Sequence, residues 1–253
     1  MARTPDGPPP PPAVQRLRLR YAKRGRLRFS SHRDFQRAFE RALRRAGVPM
    51  AYSAGFSPHP KISYANAAPT GVASEAEYVE IGLVEVRDPA WVRAVLDESL
   101  PPGLDVLEVV EAATGTSLVD RLEASVYEIR LDGVSVDAAR GAADALLAAE
   151  RVEIERLTKN GMRRFDAREP VVSLVVGPGR VEDGAGPAAG PCAILRLVVR
   201  HHTPAVRPDD VLEALRQVAD LAPPIPPQVT RLAQGPLDAV AADVSDPLVP
   251  DRA

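Results

Sequence analysis

The sequence predicts an α+β protein built from two tandem ferredoxin-like (split βαβ) halves, with a disordered tail at each end. A length of 253 residues suits two domains better than one or three. Stretches with the strand period of two alternate with stretches of helical period, and in the first half their order is β-α-β-β-α-β. The same order of elements returns with weaker signals in the second half, which predicts the second domain.

The first predicted strand is RLRLRYA (16–22), where arginines alternate with apolar residues, as in a strand with one buried and one open face. The short RLRF (26–29) continues the alternation and is predicted to pair with it in a hairpin. A helix follows in SHRDFQRAFERALRRAG (31–47). Ser31 and Asp34 have the spacing of a capping box, and apolar residues recur at helical intervals behind them.

The other elements of the first half follow from the same patterns. Asp88 and Pro89 mark the start of a second helix, as its N-cap and its first helical residue. In chain order the predictions are a strand at 48–52, a proline-rich loop at 55–65, a strand at 75–86, a helix at 88–100 and a strand at 104–112.

The second half and the chain ends complete the predicted plan. Predicted strands lie at 125–131, 151–157, 171–176, 193–199 and 227–233, and predicted helices at 136–149 and 208–219. A Pro-rich start, an end without periodicity and a low-complexity loop at 182–191 lack core-forming patterns. The predicted domains are a disordered tail at 1–13, a basic ferredoxin-like domain at 14–112, a linker at 113–123, a second ferredoxin-like domain at 124–233, and a disordered tail at 234–253.

Composition predicts a cytoplasmic protein without a membrane span, metal or cofactor. No stretch approaches the roughly 18 apolar residues of a membrane helix, and the N-terminus has no signal-peptide core. The single cysteine, Cys192, agrees with a reducing compartment and excludes an internal disulfide. It also argues against a self-contained zinc-thiolate or iron–sulfur site, and the four histidines have no HxxxH spacing.

The charge is concentrated near the N-terminus. Between Arg16 and Arg45 there are twelve Lys or Arg residues against two acids, while the rest of the chain carries 20 bases and 32 acids. A basic cluster of this kind is typical of a protein that binds a phosphate backbone. The alternative is a solvated surface without a partner.

The predicted RNA-contacting residues lie on the first two strands, on one face of the first helix and in the proline loop. If these elements converge, they form a groove for a single-stranded or hairpin nucleic acid. Because aromatic residues make up only 4% of the chain, backbone contacts should outweigh base stacking. The predicted contacts are Arg16, Arg18, Arg20, Arg26, Arg28, Arg33, Arg37, Arg41, Arg44, His59 and Lys61.

The loop GFSPHPKISYA (55–65) is stiffened by Pro58 and Pro60, which restrict their own φ and that of the residues before them. A restrained loop loses less entropy on binding. The loop therefore presents His59 and Lys61 for phosphate binding, or else only shapes a turn.

Catalytic candidates are His32, His59 and Lys61. RNA cleavage without a metal needs a base for the 2′-hydroxyl and a cation for the phosphate. His32 also fits a cap or packing role in the first turn of a helix. The nucleotide-hydrolysis, dinucleotide-binding, serine-hydrolase and zinc-protease motifs are absent from the sequence.

Two further motifs stay ambiguous. His201 and His202 are adjacent on an extended chain, so their side chains point to opposite faces and cannot easily form one bidentate site. They are interpreted as turn residues. KNGMRRFDAREP (159–170) has a turn at 160–161, followed by several charged side chains. It is either a second phosphate-contacting stretch or a solvated edge strand.

SHxD, RALRRAG, YSxGFxPHPK and GxxSEAEY occur in this order between 31 and 78. With them, the chain from about Arg16 to Leu131 resembles a bacterial family of unknown function known as the radical-SAM-linked domain, and KNGMRRFDAREPVVSL is similar to a later motif of that family. The resemblance implies a domain that is fused to a radical-SAM enzyme or separate from it, with no settled activity. This chain lacks the CxxxCxxC of the radical-SAM cluster.

Three functions follow from these observations. The first is a non-catalytic RNA-binding accessory protein that presents structured RNA, of the tRNA or rRNA class, to a partner radical-SAM or RNA-processing enzyme. The second is a metal-independent RNA endonuclease. The third is a protein-interaction module without a nucleic-acid role.

Overall fold

The computed structural model describes residues 10–158, 161–179 and 190–252. Within them the chain is a mixed α+β protein with four α-helices, which confirms the predicted class. The predictions for the tail at 1–13, the turn at 160–161 and the loop at 182–191 lie wholly or partly outside the described residues.

The chain forms two compact units. Unit 1 contains residues 1–121 together with 247–253, and unit 2 contains residues 122–246. The chain leaves unit 1 inside the segment predicted as a linker, between Arg121 and Leu122, and returns to unit 1 at Pro247. In sequence, unit 2 is therefore an insertion into unit 1.

Unit 1 contains four strands and two α-helices. They are β1 (Gln15–Lys23), α1 (His32–Arg45), β2 (Ile62–Ala65), β3 (Ala73–Leu83), α2 (Pro89–Ser99) and β4 (Leu104–Glu111). The strands pair antiparallel in the order β4-β1-β3-β2. In the register, Leu17 of β1 lies opposite Ile81 of β3, and Arg18 lies opposite Glu80.

The core of unit 1 lies between the sheet and its two helices. Leu17 and Leu19 point to one face of β1 and belong to the same buried cluster as Phe39 of α1 and Leu96 of α2. Asp88 accepts a hydrogen bond from Ala90 N–H (2.9 Å), so the predicted N-cap of α2 is confirmed. Since strand side chains alternate, Arg16, Arg18 and Arg20 point to the sheet face away from the helices.

Two predicted elements of unit 1 differ in the structure, and one of its strands was not predicted. RLRF is not a hairpin strand: residues Gly25–Phe29 form a 3-10 helix, because Leu27 packs on the core while Phe29 stays exposed. The predicted strand at 48–52 is reduced to isolated bridges at Met50 and Tyr52. The strand β2 lies within the segment predicted as the proline-rich loop, and its four residues are too few to show a clear alternation.

Unit 2 has a four-stranded antiparallel sheet of order β10-β5-β9-β8 and a separate hairpin, β6-β7. The hairpin is inserted between the first helix of the unit and β8. The elements are β5 (Ala124–Asp132), α3 (Val136–Ala148), β6 (Glu153–Thr158), β7 (Gly161–Asp166), β8 (Val171–Pro178), β9 (Cys192–Arg200), α4 (Pro208–Ala219) and β10 (Gln228–Gly235).

The segment after β10, for which the sequence predicts a disordered tail, has local structure up to residue 252. Two short strands, β11 (Leu237–Asp238) and β12 (Asp243–Val244), pair in unit 2. A 3-10 helix at Val249–Asp251 then belongs to unit 1. Contacts to distant residues order this segment, and periodicity does not detect such contacts. No helix in the described part of the chain is long and apolar enough to cross a membrane.

Candidate nucleic-acid interface

The orientation of α1 is fixed by its N-cap and by aromatic packing. Ser31 Oγ accepts a hydrogen bond from Asp34 N–H (3.2 Å), and the Asp34 carboxylate accepts one from Ser31 N–H (3.3 Å). This confirms the capping box, and the hydrogen bonds from Ser31 lower the pKa of Asp34. Phe35 stacks on Tyr21 of β1 with ring centroids 4.4 Å apart, and Phe39 lies 5.6 Å from Phe35. One face of α1 is therefore held against the sheet.

The opposite face of α1 carries an exposed row of arginines, here called the arginine ridge: Arg33, Arg37, Arg41 and Arg44. At 1.5 Å of rise per residue, members four positions apart are about 6 Å apart along the helix axis. Arg44 lies 4.0 Å from Glu40, at the limit of an ion pair. The other three make no ion pair with any residue that the structure describes. The ridge is a line of accessible positive charge.

The arginines of β1 do not form an open basic surface as predicted. Arg16 is exposed, but the Arg18 side chain is only 3% exposed and donates to Glu80 (2.9 Å) and Asp251 (2.7 Å). Arg20 is half-buried and donates to the Glu75 carbonyl (2.8 Å). Arg18 and Arg20 are committed to internal partners, and the chain segment that carries Asp251 covers the guanidinium of Arg18.

The arginine ridge and the β1 arginines also lie on opposite sides of the sheet. The helix α1 packs on the face of Leu17 and Leu19, while Arg16 points to the other face. The two sets of arginines therefore do not line one groove. The same helix packing that exposes the ridge separates it from β1.

A cavity of about 640 Å³ opens on the helix-free face of the unit 1 sheet. Its lining includes Arg16, Arg18, Ser63 and Glu80, with the segment 112–119 along one side. Arg18 is used internally, whereas the Arg16 side chain is 70% exposed and lies 3.8 Å from Glu80. The cavity thus offers one accessible cation beside a carboxylate, which is a weaker anion site than the ridge.

The proline loop is a short, hydrogen-bonded excursion from the sheet. Tyr52 and Pro60 form a bridge, and Ser53 N–H donates to the His59 carbonyl (2.8 Å). Ser53 Oγ accepts from His59 N–H (3.0 Å). At the tip of the loop, Phe56 is 68% exposed. The Cβ of Lys61 lies beside Gly82, so Lys61 shares the helix-free face with Arg16.

The two histidine candidates are separate in the described structure. The His32 ring packs edge-on to Tyr64 (5.0 Å between centroids), and its Nε2 lies 3.0 Å from Gln36. The exposed His59 imidazole makes no hydrogen bond, ion pair or ring contact within the described ranges. His32 therefore has the packing role that the sequence left open, and no contact joins it to His59.

The 3-10 helix before α1 adds a feature that the sequence analysis missed. Arg26 is exposed, and the Arg28 guanidinium lies over the Phe29 ring, 4.8 Å from its centroid. The Phe29 ring is 59% exposed. Low aromatic content argued against base stacking, but the Arg-Phe pair directly before the helix cap was an available signal.

The candidates in unit 2 are mainly structural. Arg164 pairs with Glu155 (2.5 Å), and Arg168 donates to the carbonyls of Leu147 and Val171. Arg163 is exposed, and residue 159 lies outside the described ranges. In the part of the chain that is described, no group of three or more His, Cys, Asp or Glu side chains is placed to hold a metal ion.

Comparison with known proteins identifies a family for this chain. A family model described as an uncharacterized protein conserved in bacteria (DUF2344) matches residues 16–208. Because the match covers more than half of the 253 residues, the chain belongs to this family. The matched span contains the arginine ridge, the proline loop and most of unit 2. Among curated proteins, none matches the sequence.

Proposed function

We propose that this protein is a non-catalytic, cytoplasmic RNA-binding accessory protein. It presents a structured RNA of the tRNA or rRNA class to a partner radical-SAM or RNA-processing enzyme. The observation that carries the proposal is the exposed row of Arg33, Arg37 and Arg41, for which the described residues provide no ion pair. Arginines in such a row are suited to phosphate contacts.

Structured RNA suits this row better than a specific base sequence does. Duplex RNA is recognised mainly through its shape, its 2′-hydroxyls and its phosphates. A rigid helix with side chains about 6 Å apart can follow a backbone without reading base edges. The preceding residues Arg26 and Arg28 extend the positive charge beyond the first turn of α1.

The proposed architecture is a ferredoxin-like fold for each unit. The sheet orders β4-β1-β3-β2 and β10-β5-β9-β8 support it, because each unit has its first strand between its last and its third sheet strand, as a split βαβ pattern requires. In unit 2 the β6-β7 hairpin would be an insertion into that pattern. This fold class hosts many functions, so the functional argument depends on the ridge.

The radical-SAM partner is proposed from the family resemblance alone. With Cys192 as the single cysteine, an iron–sulfur cluster with several thiolate ligands has to come from the partner. A partner that acts on RNA would gain from an accessory protein that holds the RNA backbone.

The proposal predicts strong, salt-dependent RNA binding that depends on the ridge. If about six phosphates are contacted, affinity for a labelled RNA hairpin falls by roughly three orders of magnitude between 50 and 200 mM salt. The triple variant Arg33→Gln/Arg37→Gln/Arg41→Gln should lower the slope of log affinity against log salt by about three units. Fluorescence anisotropy titrations at several salt concentrations measure both quantities.

A matched control removes the same charge elsewhere. Arg93, Arg140 and Arg216 are exposed on α2, α3 and α4, and their replacement by Gln should leave the slope unchanged. Equal effects of both triple variants, or no salt-dependent binding, would favour a protein-interaction module. RNA incubated with the protein in EDTA should stay intact. Products with a 2′,3′-cyclic phosphate that disappear in His32→Ala or His59→Ala would instead indicate an endonuclease.

A further inference from the structure

We propose that the Phe29 ring, together with the Arg28 guanidinium over it, is a stacking platform for one unpaired RNA base. This inference rests on the proposed RNA-binding function. In the RNA, unit 1 would then recognise an unpaired base next to a stem whose phosphates contact the arginine ridge.

The Phe29 side chain combines an exposed ring with a cation over it. Of the five phenylalanines, Phe35, Phe39 and Phe165 are buried, whereas Phe29 and Phe56 are exposed. Phe29 is 59% exposed, although its neighbour Leu27 packs against the core of unit 1. Single exposed apolar side chains are common on protein surfaces. Phe29 differs from Phe56 because the Arg28 guanidinium lies over the Phe29 ring.

The backbone around Phe29 is held in place. Ser30 N–H donates to the Leu27 carbonyl (2.9 Å), and Gly71 N–H donates to the Arg28 carbonyl (2.7 Å). Ahead of the 3-10 helix, Arg24 N–H donates to the Gly103 carbonyl (2.8 Å). A ring presented from an anchored backbone loses little conformational freedom when a base stacks on it.

Phe29 lies close to the start of the ridge. Arg33 is four positions further along the chain, so the Cα atoms of Phe29 and Arg33 are at most about 14 Å apart. Ser31, between them, is fixed as the N-cap of α1. An RNA whose phosphates lie along the ridge can therefore bring the neighbouring nucleotide to the ring.

The chemistry of the pair suits a nucleotide. The guanidinium of Arg28 is 4.8 Å from the ring centroid, so it covers part of the ring and brings a positive charge to the stacked nucleotide. Every base has a π-face, so stacking on an aromatic ring tolerates any sequence. The ligand is accordingly an unpaired nucleotide of any base at a loop, bulge or end.

The test compares two RNA probes of equal charge, a hairpin with an unpaired loop and a blunt duplex. Phe29→Ala should weaken binding of the hairpin by about 5- to 150-fold, the range expected for loss of one stacked base. Binding of the duplex and the salt slope of both probes should be unchanged. Phe29→Tyr should restore hairpin binding. A 2-aminopurine in the loop should be quenched by the wild type and not by Phe29→Ala.

The control for a general aromatic effect is Trp91→Ala. Trp91 is 38% exposed on α2, and the Arg87 guanidinium lies 5.8 Å from its ring centroid. This variant should bind both probes like the wild type. The stacking proposal is overturned if Phe29→Ala affects both probes equally or neither, or if Trp91→Ala has the same effect. Failure of the wild type to bind either probe would overturn the proposed function as well.

Discussion

His201 lies directly after β9 in unit 2, where its ring is partly buried between two hydrogen-bonding groups. Its Nδ1–H donates to the Leu122 carbonyl (2.6 Å), and its Nε2 forms a hydrogen bond with the Ser125 hydroxyl (2.8 Å). Burial lowers the pKa of His201, and the nearby Arg231 acts in the same direction. The native state therefore disfavours protonation of this residue.

The lowered pKa of His201 predicts that the unfolding free energy of unit 2 decreases in acid. Because the pKa is lower in the folded than in the unfolded state, the unfolded chain binds the proton first as the pH falls below about 6.5. Unfolding free energy should decrease from there until the folded pKa is reached. His201→Gln, which cannot titrate, should reduce this loss and cost about 1 kcal/mol at neutral pH.

Circular dichroism melts at pH 7.5, 6.5 and 5.5 measure this effect, and the fluorescence of Trp91 reports unit 1 as an internal reference. His202→Gln is the matched control, because His202 is the next residue in the sequence and its side chain is exposed. An unchanged pH dependence in His201→Gln would contradict the assignment to His201.

The histidine pair also shows what residue-level patterns predict. Alternation along an extended chain predicts different sides for the two side chains from local geometry alone, and in the structure His201 is partly buried while His202 is exposed. It did not identify Ser125 as a partner, which lies 76 positions earlier in the sequence. Similarly, the period of two in β1 predicts to which sheet face Arg18 points. It does not predict that Arg18 is buried, because its partner Asp251 is 233 positions away in the sequence.

Among the elements, α1 was predictable and the segment before it was not. The capping box and the apolar stripe of α1 are local signals that the structure retains. In RLRF, a period of two suggested a strand, but only one of the two apolar side chains enters the core. The exposed ridge was therefore predicted from the sequence, whereas the Phe29 platform depends on how this short 3-10 helix packs.

The proline loop carries a prediction at the same scale. If Pro58 and Pro60 preorganise His59 and Lys61, then Pro58→Gly/Pro60→Gly should leave the melting temperature nearly unchanged and weaken RNA binding by about 1 to 2 kcal/mol. The bridge between Tyr52 and Pro60 is the contact that this change would loosen. Melting curves and anisotropy titrations on the same samples measure the two effects.

Lys61→Ala provides the comparison for the loop variant. It should weaken binding to a similar degree and lower the salt slope by about one unit, as the loss of one phosphate contact requires. A loop that only shapes the chain would give the opposite result, with a lower melting temperature for the double variant and unchanged binding per folded molecule.

On the scale of the whole molecule, a buried charge cluster closes unit 1 around a segment from the far end of the sequence. The Asp251 carboxylate is fully buried and accepts from Arg18 (2.7 Å), Arg121 (2.6 Å) and the backbone N–H of Ala113 (2.9 Å). Burial opposes the charge, yet the hydrogen bonds from Arg121 and Arg18 outweigh it and lower the pKa of Asp251. The charges in this cluster depend on one another.

Asp251→Asn should lower the unfolding free energy of unit 1 by about 3 kcal/mol or more, because it removes one of the two carboxylates that pair with the buried Arg18 and the carboxylate that pairs with Arg121. Urea unfolding followed by the fluorescence of Trp91, the single tryptophan, reports this unit. The control is Arg252→Gln, which removes a more exposed pair with Glu108 (2.6 Å) and should cost less than about 1 kcal/mol. Equal losses in the two variants would contradict the buried-cluster interpretation.

The return of the chain to unit 1 also affects the order of events during translation. Every residue from Leu122 to Asp246 must be polymerised before Asp251 leaves the ribosome. Throughout that time, Arg18 and Arg121 of the nascent chain lack the Asp251 carboxylate that pairs with both of them. Unit 2 can therefore form its internal contacts before unit 1 is complete, although the synthesis of unit 1 begins earlier, because unit 1 still lacks Asp251.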